Sequence, residues 1–258
     1  MIGRGAFQNS ENLFSGSVSR KKDSDFSFTI TNFLLLIILG GLGYLFFLSN
    51  VFTIKAIFVE GEKQVQKDDI KKIAEGFLGQ DTNIFLFRTG KVREKILSQI
   101  PEISDLRIYR GLPNALKIIV VEREGVLIWE TGGESYVVDE QGTAFKKAEG
   151  KEDLPKIIDA NNVPIRVGDK ILTTQFSEFA RVIARDFKSK TGLGIKSLEI
   201  IESTFELHIV TEKGFKILFD TSRPADIQLE VLAKILPKIS DQVKEYIDLR
   251  VEGWAYYR

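Results

Sequence analysis

The sequence has no cysteine, a single histidine and a single methionine among its 258 residues. The missing cysteine excludes disulfides, thiolate metal sites and a cysteine nucleophile. A catalytic triad or a histidine-based metal site would need more partners than His208 has, so we predict neither. His208 stands between Leu207 and Ile209 on the polar face of a predicted strand, where we expect a surface residue.

An excess of one charge is also missing, because 36 acidic residues balance 36 basic ones. The basic residues are interleaved with acidic ones, without the clustered basic and aromatic stripe that is typical of nucleic-acid-binding proteins. No phosphate-binding Gly-x-x-x-x-Gly-Lys-[Ser/Thr] loop occurs. We therefore expect no nucleic acid, cofactor, metal or small-molecule substrate. A binding module is favoured over an enzyme.

One long apolar segment is present, since residues 26–54 contain no charged side chain. Roughly 20 apolar residues in a helix cross a hydrocarbon core of about 30 Å, so residues 26–50 are predicted to be a transmembrane helix in the lipid bilayer. Arg20, Lys21 and Lys22 precede it, which predicts a cytoplasmic amino terminus and extracytoplasmic domains. No small-residue cleavage site follows, so we expect an uncleaved anchor. Residues 1–25 are polar and aperiodic and predict a disordered cytoplasmic tail.

The region after the anchor begins with a β-α-α-β-β pattern. Alternation predicts strands at residues 54–60, 106–110 and 116–121. A first helix is predicted over residues 67–78 and ends at Gly79. A second has Thr89 as its candidate N-cap and is closed by Pro101. The inward positions of the two helices are Ile70, Ile73, Ala74, Phe77 and Leu78, then Val92, Ile96 and Leu97.

Short strands separated by turns follow from residue 125. Asp139 lies at the second of these turns, where we predict that it caps the turn rather than acts in catalysis. The strands are predicted at residues 126–129, 135–138, 143–145, 195–201, 205–210, 215–219 and 246–254. On the strand at 205–210, Phe205, Leu207 and Ile209 are expected to share one face.

Two further helices are predicted in this region. The first starts at Thr173 or Thr174, and the second starts near Ser222 and Pro224. The apolar stripe of the first is Phe176, Phe179, Ala180, Ile183 and Phe187. The predicted inner side of the second is Ile227, Val231, Leu232, Ile235 and Ile239.

The hairpin at residues 110–123 is the most informative motif in the chain. It begins with Arg110-Gly111-Leu112-Pro113-Asn114 and alternates up to Glu122-Arg123. With the β-α-α-β-β order, it resembles a polypeptide-transport-associated (POTRA) domain, in particular that of the bacterial division proteins FtsQ and DivIB. The family's Val-x-Gly-Asn turn is matched by Val59-Glu60-Gly61, with Glu62 in place of Asn. We interpret Glu122-Arg123-Glu124 as a solvated strand end.

The later region is similar to the same family through its Val-Asp-x-x-Gly-x-x-Phe arrangement at residues 138–145, its Leu-Pro-Lys-Ile-Ile run at 154–158 and its ending at 246–250. The resemblance implies an α+β fold with a single N-terminal transmembrane helix. It further implies a POTRA-like β-α-α-β-β domain at residues 51–123 and a larger mixed β-rich domain with two helices at residues 124–258.

The resemblance also implies a function. The protein would be a non-enzymatic, single-pass division protein of the bacterial cell membrane, located at the division septum. Its final strand would receive a strand from FtsB-like and FtsL-like single-pass proteins, and its POTRA-like domain would contact other divisome members. A chain-terminal strand often lies at a sheet edge, where unpaired N–H and C=O groups accept a partner strand. The predicted partner-binding residues are Tyr246, Ile247, Asp248, Leu249, Arg250, Val251, Gly253 and Trp254.

Some alternatives stay open. A POTRA-containing docking subunit for protein translocation or secretion is one, and an anchored extracytoplasmic enzyme with convergent titratable groups in a cleft is another. Near the end of the chain, Trp254, Tyr256 and Tyr257 are either an aromatic anchor for a partner or a frayed end that covers the core. Because the sequence ends soon after Trp254, we expect no long carboxyl-terminal tail.

Overall fold

The computed structural model describes residues 24–258, so the predicted tail at residues 1–25 lies outside the described residues except for its last two. The chain divides into two compact units, Met1–Val51 and Phe52–Arg258. In the first unit, helix α1 (Ser24–Phe47) carries the apolar segment, as predicted. Within the described part of the chain, Thr29–Phe52 is the one candidate membrane span, with a mean hydropathy of 2.1 and no buried residue.

The second unit begins with a three-stranded sheet and two helices. Their bounds are β1 (Ala56–Glu60), α2 (Lys67–Glu75), α3 (Thr89–Gln99), β2 (Ile103–Gly111) and β3 (Ala115–Glu122). The central strand β3 pairs in parallel with β1 and in antiparallel with β2. The predicted β-α-α-β-β order is therefore confirmed. One buried cluster joins the helices to the sheet through side chains that include Ile57, Val59, Ile70, Ala74, Val92, Ile96, Leu116 and Ile118.

The end of α2 and the start of α3 both differ from the predictions. Helix α2 ends at Glu75 rather than near Gly79, because Gly76 is its C-cap and the chain then tightens into a turn. Glycine is a poor helix former, which explains the early end. Thr89 is the first residue of α3 and not its N-cap; Arg88 holds that position without a side-chain cap.

The turn after β1 depends on a glycine. Gly61 has φ +90°, and a Cβ at this position would lie 2.4 Å from the carbonyl oxygen of Val120. Only glycine can combine this backbone conformation with so close an approach of the neighbouring strand. This explains physically why glycine follows the first strand in the sequence motif at residues 59–62.

The remaining strands form one nine-stranded sheet, in the order β12-β11-β10-β9-β8-β7-β4-β5-β6. Their bounds are β4 (Gly125–Thr131), β5 (Glu134–Asp139), β6 (Ala144–Lys147), β7 (Lys156–Asp159), β8 (Ile195–Ile200), β9 (Glu206–Thr211), β10 (Lys216–Asp220), β11 (Tyr246–Asp248) and β12 (Tyr256–Tyr257). The pairs β4–β7, β7–β8 and β10–β11 are parallel, and the other pairs are antiparallel. The predicted α+β class is confirmed.

Helices α4 (Thr174–Thr191) and α5 (Ala225–Ile239) contribute to the core of the large sheet. Thr173 caps α4 by accepting a hydrogen bond from the Phe176 N–H at 3.1 Å, and the whole predicted stripe of α4 is buried. The predicted inner side of α5 is partly wrong. Its buried residues are Ala225, Gln228, Leu229, Leu232 and Leu236, while Ile227 and Val231 are exposed.

The two ends of the large sheet differ in how their outer strands are covered. At β6, the Ala144 N–H donates to the Asp169 carbonyl at 2.9 Å and the Gly168 N–H donates to the Ala144 carbonyl at 2.7 Å. A loop therefore protects that edge. At the other end lies the two-residue strand β12, whose tyrosines are both exposed. The end formed by β10, β11 and β12 is hereafter called the terminal edge.

Candidate functional site

The final predicted strand is shorter than expected and is not outermost. Strand β11 covers only Tyr246–Asp248, and the chain then turns through residues 251–253. Gly253 has φ +76°, in the left-handed region that favours glycine. The chain returns as β12, which pairs Tyr257 with Ile247 and Tyr256 with Asp248 in antiparallel. The expectation of one alternating strand over residues 246–254 is therefore wrong.

The main-chain groups of β11 point to two neighbours. On the inner side, the Lys216 N–H donates to the Glu245 carbonyl and the Leu249 N–H donates to the Leu218 carbonyl, both at 2.9 Å. On the outer side, the Tyr246 carbonyl accepts from the Arg258 N–H at 3.1 Å. The Arg258 carbonyl accepts from Lys244 at 2.8 Å, Glu245 at 2.7 Å and Tyr246 at 3.4 Å. Arg258 thus engages several outer groups of this segment, next to the β11–β12 pairing at Ile247 and Asp248.

The predicted partner-binding residues fall into three groups. Ile247 and Leu249 are buried in the core of the large sheet, so their side chains cannot reach a partner. Asp248 and Arg250 lie together in a polar cluster, while Tyr246 beside them is half-buried. Val251, Gly253 and Trp254 lie in the turn that lines an apolar groove. Phe205, predicted to share one face of a strand with Leu207 and Ile209, instead precedes β9 and is exposed, while the other two are buried.

The polar cluster is built around Arg250. Its Nε and Nη2 donate to the two carboxylate oxygens of Asp248 at 3.0 and 2.8 Å, and its Nη1 donates to Glu206 at 2.6 Å. These hydrogen bonds, with Asp248 contributing most, raise the pKa of Arg250 despite its partial burial. Burial alone would raise the pKa of Asp248 and of Glu206, but hydrogen bonds outweigh it and both pKa values are lowered. The bonds come from Arg250 at Asp248, and from His208 and Arg250 at Glu206. The cluster therefore fixes residues 248–250 against β9.

His208 belongs to the same cluster and is not the surface residue that we predicted. Its Nε2 lies 3.1 Å from Glu206 Oε2, and only 13% of its side chain is exposed. It does face away from the core, as expected, because its neighbours Leu207 and Ile209 are buried on the other side of β9. Within residues 24–258, no group of three or more His, Asp or Glu side chains could hold a metal ion.

An apolar groove of about 370 Å³ lies on the helical side of the terminal edge. It runs between α5 and the turn, with Ile227, Val231, Val251 and Trp254 among its lining residues. All four are exposed, and Trp254 stacks on Tyr256 with ring centroids 6.5 Å apart. Exposed aliphatic and aromatic side chains that border a groove are suited to a protein partner.

Glu122-Arg123-Glu124 is not simply a solvated strand end. Glu122 accepts hydrogen bonds from the N–H groups of Lys63, Gln64 and Val65, the shortest at 2.6 Å. Burial raises its pKa, yet these backbone bonds prevail and the pKa is lowered. Arg123 pairs with the buried Asp139, and only Glu124 fits the prediction.

Asp139 caps its turn as predicted, with its carboxylate accepting from the Thr143 N–H at 2.8 Å. Its pairing with Arg123 was not predicted. The residues of the groove on α5 were also missed, because Ile227 and Val231 were assigned to the core. Both residues belong to the apolar stripe of α5. This stripe is wider than the face that the helix buries, so the sequence does not show which apolar residues stay exposed.

Two family models match the second unit. Residues 52–123 match the FtsQ-type POTRA domain, and residues 127–250 match the C-terminal domain of the cell division proteins FtsQ/DivIB. These models cover most of the unit, including β11 and Arg250.

Curated relatives carry the same descriptions. Cell division protein FtsQ of Chloroflexus aurantiacus is 30% identical over 162 residues, which is 61% of this chain and 58% of the relative. Cell division protein DivIB of Clostridium acetobutylicum is 36% identical over 95 residues, 37% of each chain. FtsQ of Chloroflexus aggregans is 28% identical over 159 residues, 60% of this chain and 56% of the relative. The chain thus aligns with less than two thirds of each relative.

Proposed function

Because the chain belongs to the FtsQ/DivIB family of bacterial cell division proteins, we propose that it is a membrane-anchored scaffold of the division complex. It binds other single-pass division proteins outside the membrane, partly by β-strand addition, and so supports septum formation. FtsB-like and FtsL-like proteins are its partners. The family is one of non-enzymatic division proteins, and we propose that this chain acts by binding alone.

The proposed organisation follows the four segments expected from the sequence. Residues 1–25 form a cytoplasmic tail, residues 26–50 the membrane helix, residues 51–123 a POTRA-like domain and residues 124–258 the partner-binding β domain. The apolar span with a mean hydropathy of 2.1 supports the anchor. The basic residues before it support a cytoplasmic amino terminus.

The terminal edge carries the proposal for strand addition. The Tyr246 N–H and C=O point away from β10, toward Arg258 beside β12, which is the outermost strand of this edge. The apolar groove beside them offers a site for partner side chains, and main-chain bonds with alternate side-chain pockets are the two components of strand addition. By contrast, a loop covers the opposite edge at β6.

A proline substitution tests the main-chain part of this proposal. Tyr246→Pro removes an N–H that points outward, toward the Arg258 carbonyl at 3.4 Å, and none that pairs with β10. Tyr246→Ala is the matched control, because it removes the same side chain and keeps the N–H. We expect the alanine variant to capture the FtsB-like protein of the same cells, and the proline variant to capture at least fivefold less. Equal capture by both variants would exclude pairing at Tyr246.

The division role is tested separately by microscopy of dividing cells. A fluorescent fusion of the full chain should concentrate at mid-cell before and during constriction. Uniform membrane fluorescence in cells that are visibly constricting would contradict a role in the septal complex. This outcome does not depend on which surface binds the partner.

A further inference from the structure

The second unit begins at the residue where the candidate membrane span ends. Phe52 is the last residue of that span and the first residue of the unit Phe52–Arg258. A helix of about 20 residues already crosses a hydrocarbon core of about 30 Å, so the end of a 24-residue span falls in the headgroup layer. Groups of the second unit that contact Phe52 directly are therefore kept at the membrane surface by the continuity of the chain.

Two turns of the three-stranded region flank the chain just after the span. On one side, the Ile84 N–H donates to the Phe52 carbonyl at 2.9 Å, and the rings of Phe52 and Phe85 have centroids 5.1 Å apart. On the other side, the Lys55 N–H donates at 2.8 Å to the carbonyl of Asn114, in the turn between β2 and β3. Both turns thus lie at the same end of this region.

The turns at residues 84–87 and 111–114, hereafter the proximal turns, carry apolar side chains at their tips. Leu86 is 64% exposed and Leu112 is 61% exposed, and Phe85 is exposed beside Leu86. A single exposed apolar side chain is ordinary, but several together beside the end of a membrane span form an interaction surface. Aliphatic and aromatic side chains gain free energy when they enter the boundary between headgroups and acyl chains.

The first proximal turn is held in place by contacts on its inner side. Ile84 and Phe87 are buried in the cluster that joins the helices to the three-stranded sheet. The Arg110 guanidinium donates to the carbonyls of both residues, at 2.8 and 3.0 Å, and the Asn83 side chain accepts from the Phe85 N–H at 2.9 Å. Because the turn is already ordered, little conformational entropy is lost when its outer side chains enter a membrane.

The charges near the proximal turns also suit a lipid surface. Lys55 and Arg88 are exposed close to these turns in the sequence, and Lys91 is exposed in the first turn of α3. Asp81 is the acidic residue nearest in sequence to the first proximal turn, and it is exposed as well. The basic residues are in excess, and basic side chains near a membrane surface are attracted to anionic headgroups.

We propose that the proximal turns enter the headgroup layer of the lipid bilayer, so that the POTRA-like domain is seated on the membrane as well as tethered to it. This inference rests on the membrane anchor of the proposed function and adds a second contact with the bilayer. Two attachment points restrict the tilt of the domain, whereas the span alone permits rotation about the residues that follow it.

Quenching of a single fluorescent label by lipids tests this proposal. Because the natural chain has no cysteine, Leu86→Cys or Leu112→Cys supplies its only thiol, which is labelled with an environment-sensitive fluorophore. The full chain is placed in nanodiscs of phosphatidylcholine and phosphatidylglycerol, with or without a nitroxide quencher on the lipid headgroups. We expect the quenching at positions 86 and 112 to be at least about threefold stronger than at a control position.

The matched control is Val121→Cys, because this valine is similarly exposed, 54%, and lies in the same domain. It is near the far end of β3 (Ala115–Glu122), roughly 20 Å from the start of that strand beside the second proximal turn. A label at Ile38→Cys, inside the candidate span, reports whether the anchor is inserted in the bilayer. All four variants replace exposed side chains and should keep the wild-type unfolding temperature.

The outcomes separate this inference from the proposed anchor. Quenching at position 38 together with equal quenching at positions 86, 112 and 121 overturns the second membrane contact while the anchor stands. The proximal turns would then be free to bind a protein partner. Absence of quenching at position 38 overturns the anchor and the inference with it. If one proximal-turn variant does not fold, the other measures the contact independently.

Discussion

At the scale of single residues, the terminal edge depends on Arg250. This guanidinium satisfies two carboxylates, Asp248 and Glu206, which are both mostly covered. A carboxylate that loses its charged partner in such a place keeps the cost of desolvation without the compensating bonds. Arg250 therefore links the end of β11 to Glu206 at the start of β9, two strands away, and the sequence alone identified this position only as a candidate contact residue.

We predict that Arg250→Met lowers the free energy of unfolding of the unit Phe52–Arg258 by about 1–3 kcal/mol, since charge-assisted bonds to two carboxylates are lost. Arg181→Met is the matched control, because its pairing with Glu178 is on the exposed surface of α4. That control should lose no more than about 0.5 kcal/mol. Urea unfolding followed by circular dichroism measures both. Equal losses of unfolding free energy in the two variants would show that the Arg250 cluster stabilises the unit no more than an exposed ion pair does.

Glu122 provides a pH-dependent prediction. Its pKa is lowered in the folded state by three backbone N–H groups, against the effect of burial. A group with a depressed folded pKa stabilises the protein above its unfolded pKa, and this stability is lost as the pH falls through the folded pKa. Glu122→Gln should thus be less stable than wild type by about 1–2 kcal/mol at pH 7, with the difference shrinking below a pH of about 4.3.

The control for Glu122 is its exposed neighbour Glu124. Glu124→Gln should differ little from wild type at any pH, because its ion pair with Lys63 is fully on the surface. The test is to measure the thermal unfolding midpoints of wild type and both variants between pH 3 and 7. A gap between Glu122→Gln and wild type that widens on acidification would contradict the assigned role.

These residues also mark the limits of reading single positions from the sequence. Asp139 was predicted correctly as a turn cap, because its partner Thr143 is four residues away and Asp near Gly is a local signal. Glu122 was misread because its partners, at residues 63–65, are almost 60 positions away. Local patterns do not contain such pairings, which only the fold brings together.

At the scale of elements, the strongly periodic segments were predictable and the short ones were not. Helix α4 has one wide apolar stripe and a Thr cap, and its buried face agrees with the sequence prediction. Helix α5 is apolar on more than one side, so periodicity alone could not decide that Leu229 and Leu236 face inward while Ile227 does not. Strands β7 and β12 have four and two residues, too few for an alternating pattern.

The exposed side chains that line the apolar groove yield a prediction about partner binding. Val251→Glu places a charge among apolar side chains at the terminal edge and should reduce capture of the FtsB-like partner at least tenfold. Val163→Glu is the control, because this valine is similarly exposed, 53% against 47%, but lies beside β4, four strands away. Both variants should unfold at the wild-type temperature. Loss of capture in the Val163 variant alone would place the partner surface elsewhere.

At the scale of the whole molecule, the α+β class, the apolar anchor helix and the β-α-α-β-β region followed from the sequence. The arrangement of the nine strands did not, because strand order depends on contacts between distant segments. The position of β12 outside β11 is the consequence that matters most, since the sequence predicted an open final strand. The outward N–H and C=O of Tyr246, which the sequence left open, are engaged by Arg258.

The most direct test of the central claim is photocrosslinking in dividing cells, with a benzophenone amino acid in the full-length chain at position 254 or at position 163. Trp254 is exposed beside the groove, and Val163 is exposed in a loop beside β4. We expect a crosslink to an FtsB-like or FtsL-like protein from position 254 and none from position 163. Crosslinks to that partner from position 163, with none from position 254, would contradict the assignment of the terminal edge as the partner site.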